Sequence, residues 1–265
     1  MQIFQYKLVL SCDKNKTDFF YKSPARGTIM HGILLNLIKQ NNLHDGVSLV
    51  RPYTQYVVPG SYGVYNWYIN ILDSIKGESI INWIESKPES LYSNHYEMAL
   101  QVSNIELVEK NTYIDILSKS FNVLPPKYVS FDFLTPVIFK KSRVNGYWNW
   151  PDTKALTQSV LNKWNSFTDT EKFDSEEILN DLNNCSRILN FNLKSKKVSM
   201  DGINIQGTTG NMNLSLNGER HIRSLYNMIG MYSNYCGIGA KTAMGLGAVN
   251  FKDDLDYRLI SLTHK

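Results

Sequence analysis

Residues 236 to 249 read Cys-Gly-Ile-Gly-Ala-Lys-Thr-Ala-Met-Gly-Leu-Gly-Ala-Val, near the C-terminal end of a 265-residue sequence. Gly237, Gly239, Gly245 and Gly247 permit positive φ and let the backbone pass close to a large ligand, and Lys241 and Thr242 stand at the centre. Successive N–H groups in such turns form a concavity for an anion, and a cation with a hydroxyl beside it suits a phosphate. The run is not a Walker A loop, because that motif places glycine directly before the lysine and Ala240 stands there. Ala248, Val249 and Phe251 read as a short strand rather than a long helix. A glycine loop that feeds a last strand fits a polymer backbone lying across a sheet better than a nucleotide held at a helix N-terminus. The same loop also has a plainer reading, a tight connection between helix and strand.

Outward from this loop, the spacing predicts a helix over 219–231. Before it, 188–200 and 203–216 form a hairpin about Asp201-Gly202, a strong two-residue turn signal. A helix is expected over 152–167 with Asp152 as its N-cap, and a strand over 128–140. Pro125-Pro126 forces extended backbone and removes two donors, which places a boundary between domains 1–125 and 126–265. In the front half, 2–11 alternates as a strand. Ile29, Met30, Ile33, Leu34, Leu37 and Ile38 form a helical stripe that starts near Pro24. Segments 48–58 and 62–71 make a hairpin about Pro59-Gly60, 73–84 reads as a helix and 98–107 as a strand. Each half is β-α-β-β-α-β. The expected class is α+β, with tandem ferredoxin-like (RRM-like) domains whose sheets carry helices on one face. The other face is then open, and single-stranded RNA binders of this topology receive bases there.

A formal net charge of +4 permits an anionic partner without demanding one, so the placement of basic residues matters more than their total. Cys12, Cys185 and Cys236 are odd in number and far apart, which points to reduced thiols and a cytoplasmic setting. No signal-peptide pattern opens the sequence, and no apolar run approaches the roughly 20 residues needed to cross a bilayer. The five histidines and three cysteines show no Cys-x-x-Cys or His-Glu-x-x-His spacing, so neither a metal site nor a cofactor is expected.

Several stretches together resemble one family. The glycine run is similar to the glycine-rich signature of the RAMP superfamily, and in particular of the CRISPR-associated endoribonuclease that cuts repeat RNA into guides. Met30-His31-Gly32-Ile33-Leu34 resembles its Leu-His-Gly element on the first helix, Leu43-His44 its second histidine, and residues 134–140 the opening strand of its second domain. The likeness is greatest to nucleases that accompany type III-A systems. It implies metal-independent cleavage with His31 and His44 as the acid–base pair, in either order, and with Arg51 and Lys39 stabilising phosphate charge. The products would be a 2′,3′-cyclic phosphate and a 5′-hydroxyl. Many relatives carry a tyrosine on the first helix; here Leu35 stands one turn after His31, so that role would fall to Tyr53 or Tyr21.

The expected RNA contacts are Gly237, Gly239, Lys241, Thr242, Gly245 and Gly247, then Lys140, Lys141 and Arg143 beside Tyr147, Trp148 and Trp150, where cations and stacking surfaces mix. Lys194, Lys196 and Lys197 are expected to follow a phosphate backbone, although short lysine runs are usually solvated and aromatics usually core. The implied partner is CRISPR repeat RNA, with hand-over to a type III effector complex as an option and a monomer or homodimer as the working form. The competing reading is a non-catalytic RAMP subunit that lines a guide RNA.

Overall fold

The structure, a computed structural model, describes residues 1–12, 26–38, 50–61, 63–140, 146–200 and 203–254. The first sheet has the order β2-β3-β1-β5-β4, with every neighbouring pair antiparallel. Its strands are β1 (Gln2–Cys12), β2 (Tyr53–Pro59), β3 (Val64–Ile71), β4 (Ser90–Ser93) and β5 (Met98–Thr112). Alternation along β1 puts Tyr6, Leu8 and Leu10 on one face, where their partners across the ladder are Ile69, Trp67 and Tyr65. Helix α1 (Arg26–Ile38) lays Ile29, Met30, Ile33 and Leu34 on that face, and α2 (Glu78–Glu85) adds Ile80 and Ile84.

Helix α2 is shorter than the pattern over 73–84 suggests. The Asp73 carboxylate accepts from the N–H groups of Ile75 and Lys76, at 3.0 and 3.1 Å, and closes a turn before the helix starts. Ile75, inside the helix expected over 73–84, is 76% exposed. A local side-chain bond to the backbone wins over helical propagation here.

The second sheet has the order β11-β6-β10-β9. Its strands are β6 (Tyr128–Val137), β9 (Ser186–Met200), β10 (Ile203–Leu216) and β11 (Val249–Asp253), and β7 (Phe139–Lys140) and β8 (Tyr147–Trp148) form a separate short pair. With β4 set aside, both sheets share one order, that of a ferredoxin-like fold. Helix α4 (Thr153–Phe167) starts as expected, with Asp152 accepting from the Ala155 N–H at 2.7 Å. Helices α5 (Glu176–Cys185) and α6 (Arg220–Cys236) complete this layer.

Helix α3 (Tyr113–Phe121) was not foreseen. Thr112 and Asp115 form a capping box at its start. Its Tyr113 and Ile116 enter the core of the second domain, and the Tyr113 hydroxyl lies 3.0 Å from that of Tyr232 on α6.

The expectation of two open sheet faces needs correction in the first domain. The last turn of α6 docks on that face, where Thr54 and Asn70 both donate to the Tyr235 carbonyl and Ile3 and Leu72 join the second core. The reason is local: the last carbonyls of a helix lack intrahelical donors, and two buried polar side chains on the sheet supply them. On the second sheet the open face carries a polar ladder. Asn211 donates to Ser130 at 2.7 Å, Asn213 to Asn190 at 2.6 Å, and Lys252 pairs with Asp132 at 2.8 Å. These groups already satisfy one another, with Tyr128 at one end. Among the described residues, no helix is long and apolar enough to cross a membrane.

Candidate active site in the cleft between the domains

Helix α6 ends at Cys236, and Gly237 (φ +64) turns the chain back. The loop then crosses itself and the second domain. Ile238 N–H donates to Gly247 O, Ala240 N–H to Ile138 O, and Gly247 N–H to Pro136 O, at 2.7 to 3.0 Å. Gly239 N–H donates to the Ser159 hydroxyl and Ala248 N–H to that of Thr135. The run of N–H groups expected to face an anion is therefore spent largely inside the protein. Buried backbone has to be paired, and the glycines let two backbones meet closely enough to do it. At Gly245 (φ +90) an added Cβ would lie 2.6 Å from the Cα of Gly27 on α1. The N–H groups of Lys241, Thr242 and Ala243, which open a 3₁₀ turn (Thr242–Met244), have no acceptor among the described residues.

Two buried polar side chains hold this loop, and neither stood out in the sequence. Gln55 on β2 donates to Gly27 O at 2.7 Å and to Ala243 O at 3.1 Å, and accepts from the Trp67 indole N–H at 2.9 Å. It ties α1, the turn and the first sheet together. Lys163 on α4 donates to Gly237 O and Gly239 O, at 2.9 and 3.0 Å. Burial lowers its pKa from the ordinary lysine value, and the neighbouring Cys236 thiol is pushed up to about 12. One signal was available: Lys163 interrupts the apolar series Leu156, Val160, Phe167 on the inner face of α4. A lysine at such a position needs a built partner.

Lys241 itself has φ +60, a left-handed conformation that a lysine rarely takes. Its ammonium lies 5.9 Å from the centre of the Tyr147 ring. His31, Arg51, Tyr53, Lys140 and Trp148 line the same cleft, of about 860 Å³. His31 is half-buried on α1, and its Nδ1 lies 3.3 Å from the Tyr53 hydroxyl. Burial pushes the Tyr53 phenol up to about 12, against a smaller pull from the Arg51 guanidinium. The phenol therefore keeps its proton throughout the neutral range and can donate to Nδ1, which leaves the ring proton of a neutral His31 on Nε2. Tyr53→Phe keeps the ring and removes this bond. It is expected to cut the cleavage rate by roughly 10-fold, less than the ~100-fold or more that a proton-transfer group itself contributes, because Tyr53 only orients the ring, with RNA affinity unchanged in a filter-binding titration.

The family model "CRISPR-associated endoribonuclease Cas6" matches residues 131–249. A protein of that name from Mycobacterium tuberculosis (strain CDC 1551 / Oshkosh) is 25% identical over 226 residues, which is 84% of this chain and 70% of the relative. Another, from Streptococcus thermophilus, is 21% identical over 230 residues, 85% of this chain and 91% of the relative. A solved Cas6 product complex superposes with a TM-score of 0.78 at 16% identity, covering 96% of this chain and all of that one. Thermus thermophilus Cas6 superposes with a TM-score of 0.71 at 17% identity, covering 95% and 98%. This chain is similar to the Cas6 endoribonucleases.

The candidate residues from the sequence are distributed as follows. Arg51, Lys140, Gly239, Lys241 and Thr242 share the cleft with His31. Gly237, Gly245 and Gly247 are buried in the fastening of the loop and line no part of that cleft. Lys196 and Lys197 lie apart, in a second groove of about 320 Å³ with Arg26 and Gly245, and Lys194 is exposed on edge strand β9 in neither groove. His44, Lys39, Lys141 and Arg143 lie outside the described residues. Trp148 is half-exposed in the cleft, whereas Trp150 packs edge-on against Phe191 at 5.3 Å.

Proposed function

We propose that this Cas6-like chain cuts CRISPR precursor RNA within its repeats by metal-independent attack of a ribose 2′-hydroxyl. The observation that carries this reading is His31, backed by Tyr53, in one cleft with Arg51, Lys140 and Lys241. A base takes the 2′-hydroxyl proton, O2′ bonds to phosphorus, the bond to O5′ breaks, and an acid protonates O5′. The ends are a 2′,3′-cyclic phosphate and a 5′-hydroxyl. His31 and His44 form the pair, in either order, because imidazole serves both proton roles near neutrality. Arg51 and Lys241 oppose the extra negative charge on the phosphorane, with Arg51 offering the planar fork that phosphate oxygens accept. The enzyme works in the cytoplasm as a monomer or homodimer, beside a type III-A system whose effector complex takes the product.

The test is to mix purified protein with labelled repeat RNA in EDTA. A single cut that is lost in His44→Ala, and blocked by a deoxynucleotide before the scissile phosphate, supports the nuclease. Tight binding without cutting would make the chain a guide-lining subunit instead. Lys241→Ala is expected to weaken binding to all repeat sequences alike and to reduce the slope of log affinity against log salt by about 0.7, one phosphate contact on a single strand. An unchanged slope would remove Lys241 from the phosphate contacts.

A further inference from the structure

One wall of the cleft is a face of α4. Gln158, Ser159 and Asn162 recur there at three- and four-residue spacing and line the space that holds His31 and Lys241. Ser159 is engaged by the glycine loop. Gln158 Nε2 donates to Asn162 Oδ1 at 3.0 Å. That bond fixes the Gln158 amide and uses one of its two N–H groups, so its Oε1 and second N–H remain side by side, with the Asn162 amino group next to them. Trp148 lines the same cleft and is 43% exposed.

This wall does not suit a phosphate. The α4 ammonium nearest the loop, Lys163, is turned to Gly237 O and Gly239 O, and Asp152 and Lys154, which also line the cleft, bring one charge of each sign. Neutral amides that share a cleft with an indole suit a base. An amide with its oxygen and N–H presented together pairs with an edge that offers an exocyclic amine beside a ring-nitrogen acceptor, the adenine pattern. Indole gives a purine a face to stack on.

We propose that Gln158, Asn162 and Trp148 form a base-reading subsite that takes an adenine flanking the scissile phosphate. Its ring lies on Trp148 and its amine-bearing edge on the two amides. The proposal rests on the nuclease reading, because the position of the base follows from where the phosphate is held. It gives the enzyme sequence selectivity at the cut that the basic residues, which grip any phosphate, cannot supply.

The experiment uses a pool of repeat RNAs substituted at each position in turn, scored for cutting by the full-length wild type and for binding to its His31→Ala variant. Wild type is expected to favour adenine at one position next to the cut by about 10-fold or more. Gln158→Ala and Asn162→Ala should flatten that preference with their melting temperatures intact, and Trp148→Ala should weaken binding whichever base stands there. A wild type that cuts but is indifferent at these positions, or selects another base, or variants that keep the preference, would overturn the subsite alone. Failure to cut any member overturns the nuclease reading. The binding scores then decide the subsite: an adenine selectivity abolished by Gln158→Ala in the His31→Ala background keeps it, and any other pattern ends it.

Discussion

His31→Ala is expected to lower the single-turnover cleavage rate by about 100- to 10,000-fold, the range that a positioned proton-transfer group contributes. RNA affinity should change by no more than a factor of about three, because affinity for a strand resides mainly in cations against phosphates. The separation follows from placement. His31 is half-buried on α1 with Tyr53 behind its Nδ1 and offers the cleft little contact area. The cations Arg51, Lys140 and Lys241 are untouched by the change. Removing half an imidazole's burial from the edge of the α1 stripe leaves Ile29, Met30, Ile33 and Leu34 packed, so the fold should survive, and a melting curve checks this. A rate within threefold of wild type, at equal binding, would falsify the role of His31.

The second large effect belongs to a residue that touches no substrate. Lys163→Met leaves Gly237 O and Gly239 O without their ammonium donor inside the protein. Each orphaned buried acceptor costs about 1–3 kcal/mol, while losing a buried ammonium returns part of its desolvation cost. Burial lowers the pKa of Lys163, so the two effects oppose each other. A net loss of about 2 kcal/mol would lower the melting temperature by roughly 4–8 °C in a chain of this size. The functional effect should be larger. The glycine loop carries Lys241 and three N–H groups that have no acceptor among the described residues, so loosening it should weaken RNA binding by at least about 10-fold, the equivalent of one charge-assisted hydrogen bond. Equal RNA affinity in Lys163→Met and wild type would show that the loop holds its shape without the cation.

The pH dependence of that pair is a separate check with a definite sign. The folded pKa of Lys163 lies below its ordinary value of 10.5. Between the two, the native state gives up the proton first and the unfolded chain holds more protons, so this group makes stability rise with pH in that window. Below the folded pKa the ammonium is charged in both states and the burial cost is carried in full. The stability of wild type relative to Lys163→Met should therefore grow as pH rises toward 10.5.

Elements with a local cause were legible before any fold was known. The β9–β10 hairpin pairs Ile203 with Met200 and runs to Leu216 with Ser186, as the alternation about Asp201-Gly202 requires. Asp152 caps α4 because the aspartate precedes the first helical turn. The failures also have local explanations. The stripe over 73–84 contains a helix, but the Asp73 carboxylate bonds to the two N–H groups that would have begun it. Thr112 and Asp115 could have revealed α3, since that pair is a capping signature at the correct spacing.

The glycine loop shows the limit most clearly. A glycine signature states that something approaches the backbone closely, and it does not say what. Ligand was the expectation, yet Gly245 meets Gly27, Gly239 meets the Ile138 carbonyl, and Gly247 meets the Ile238 carbonyl and donates to Pro136 O. Only Lys241, Thr242 and Ala243 keep N–H groups without acceptors among the described residues.

Periodicity, turn residues and caps act over a few neighbours, which is why the sequence by itself determined most of the order of elements, the tandem ferredoxin-like class and, through its motifs, a likeness to Cas6 endoribonucleases. Tertiary structure alone decided that Tyr53 backs His31, that Gln55 and Lys163 brace the glycine loop, and that α6 covers part of the first sheet. Those contacts join residues from 22 to 188 positions apart. Their partners are chosen by which surfaces two packed domains bring together, a property that no stretch of either partner encodes alone.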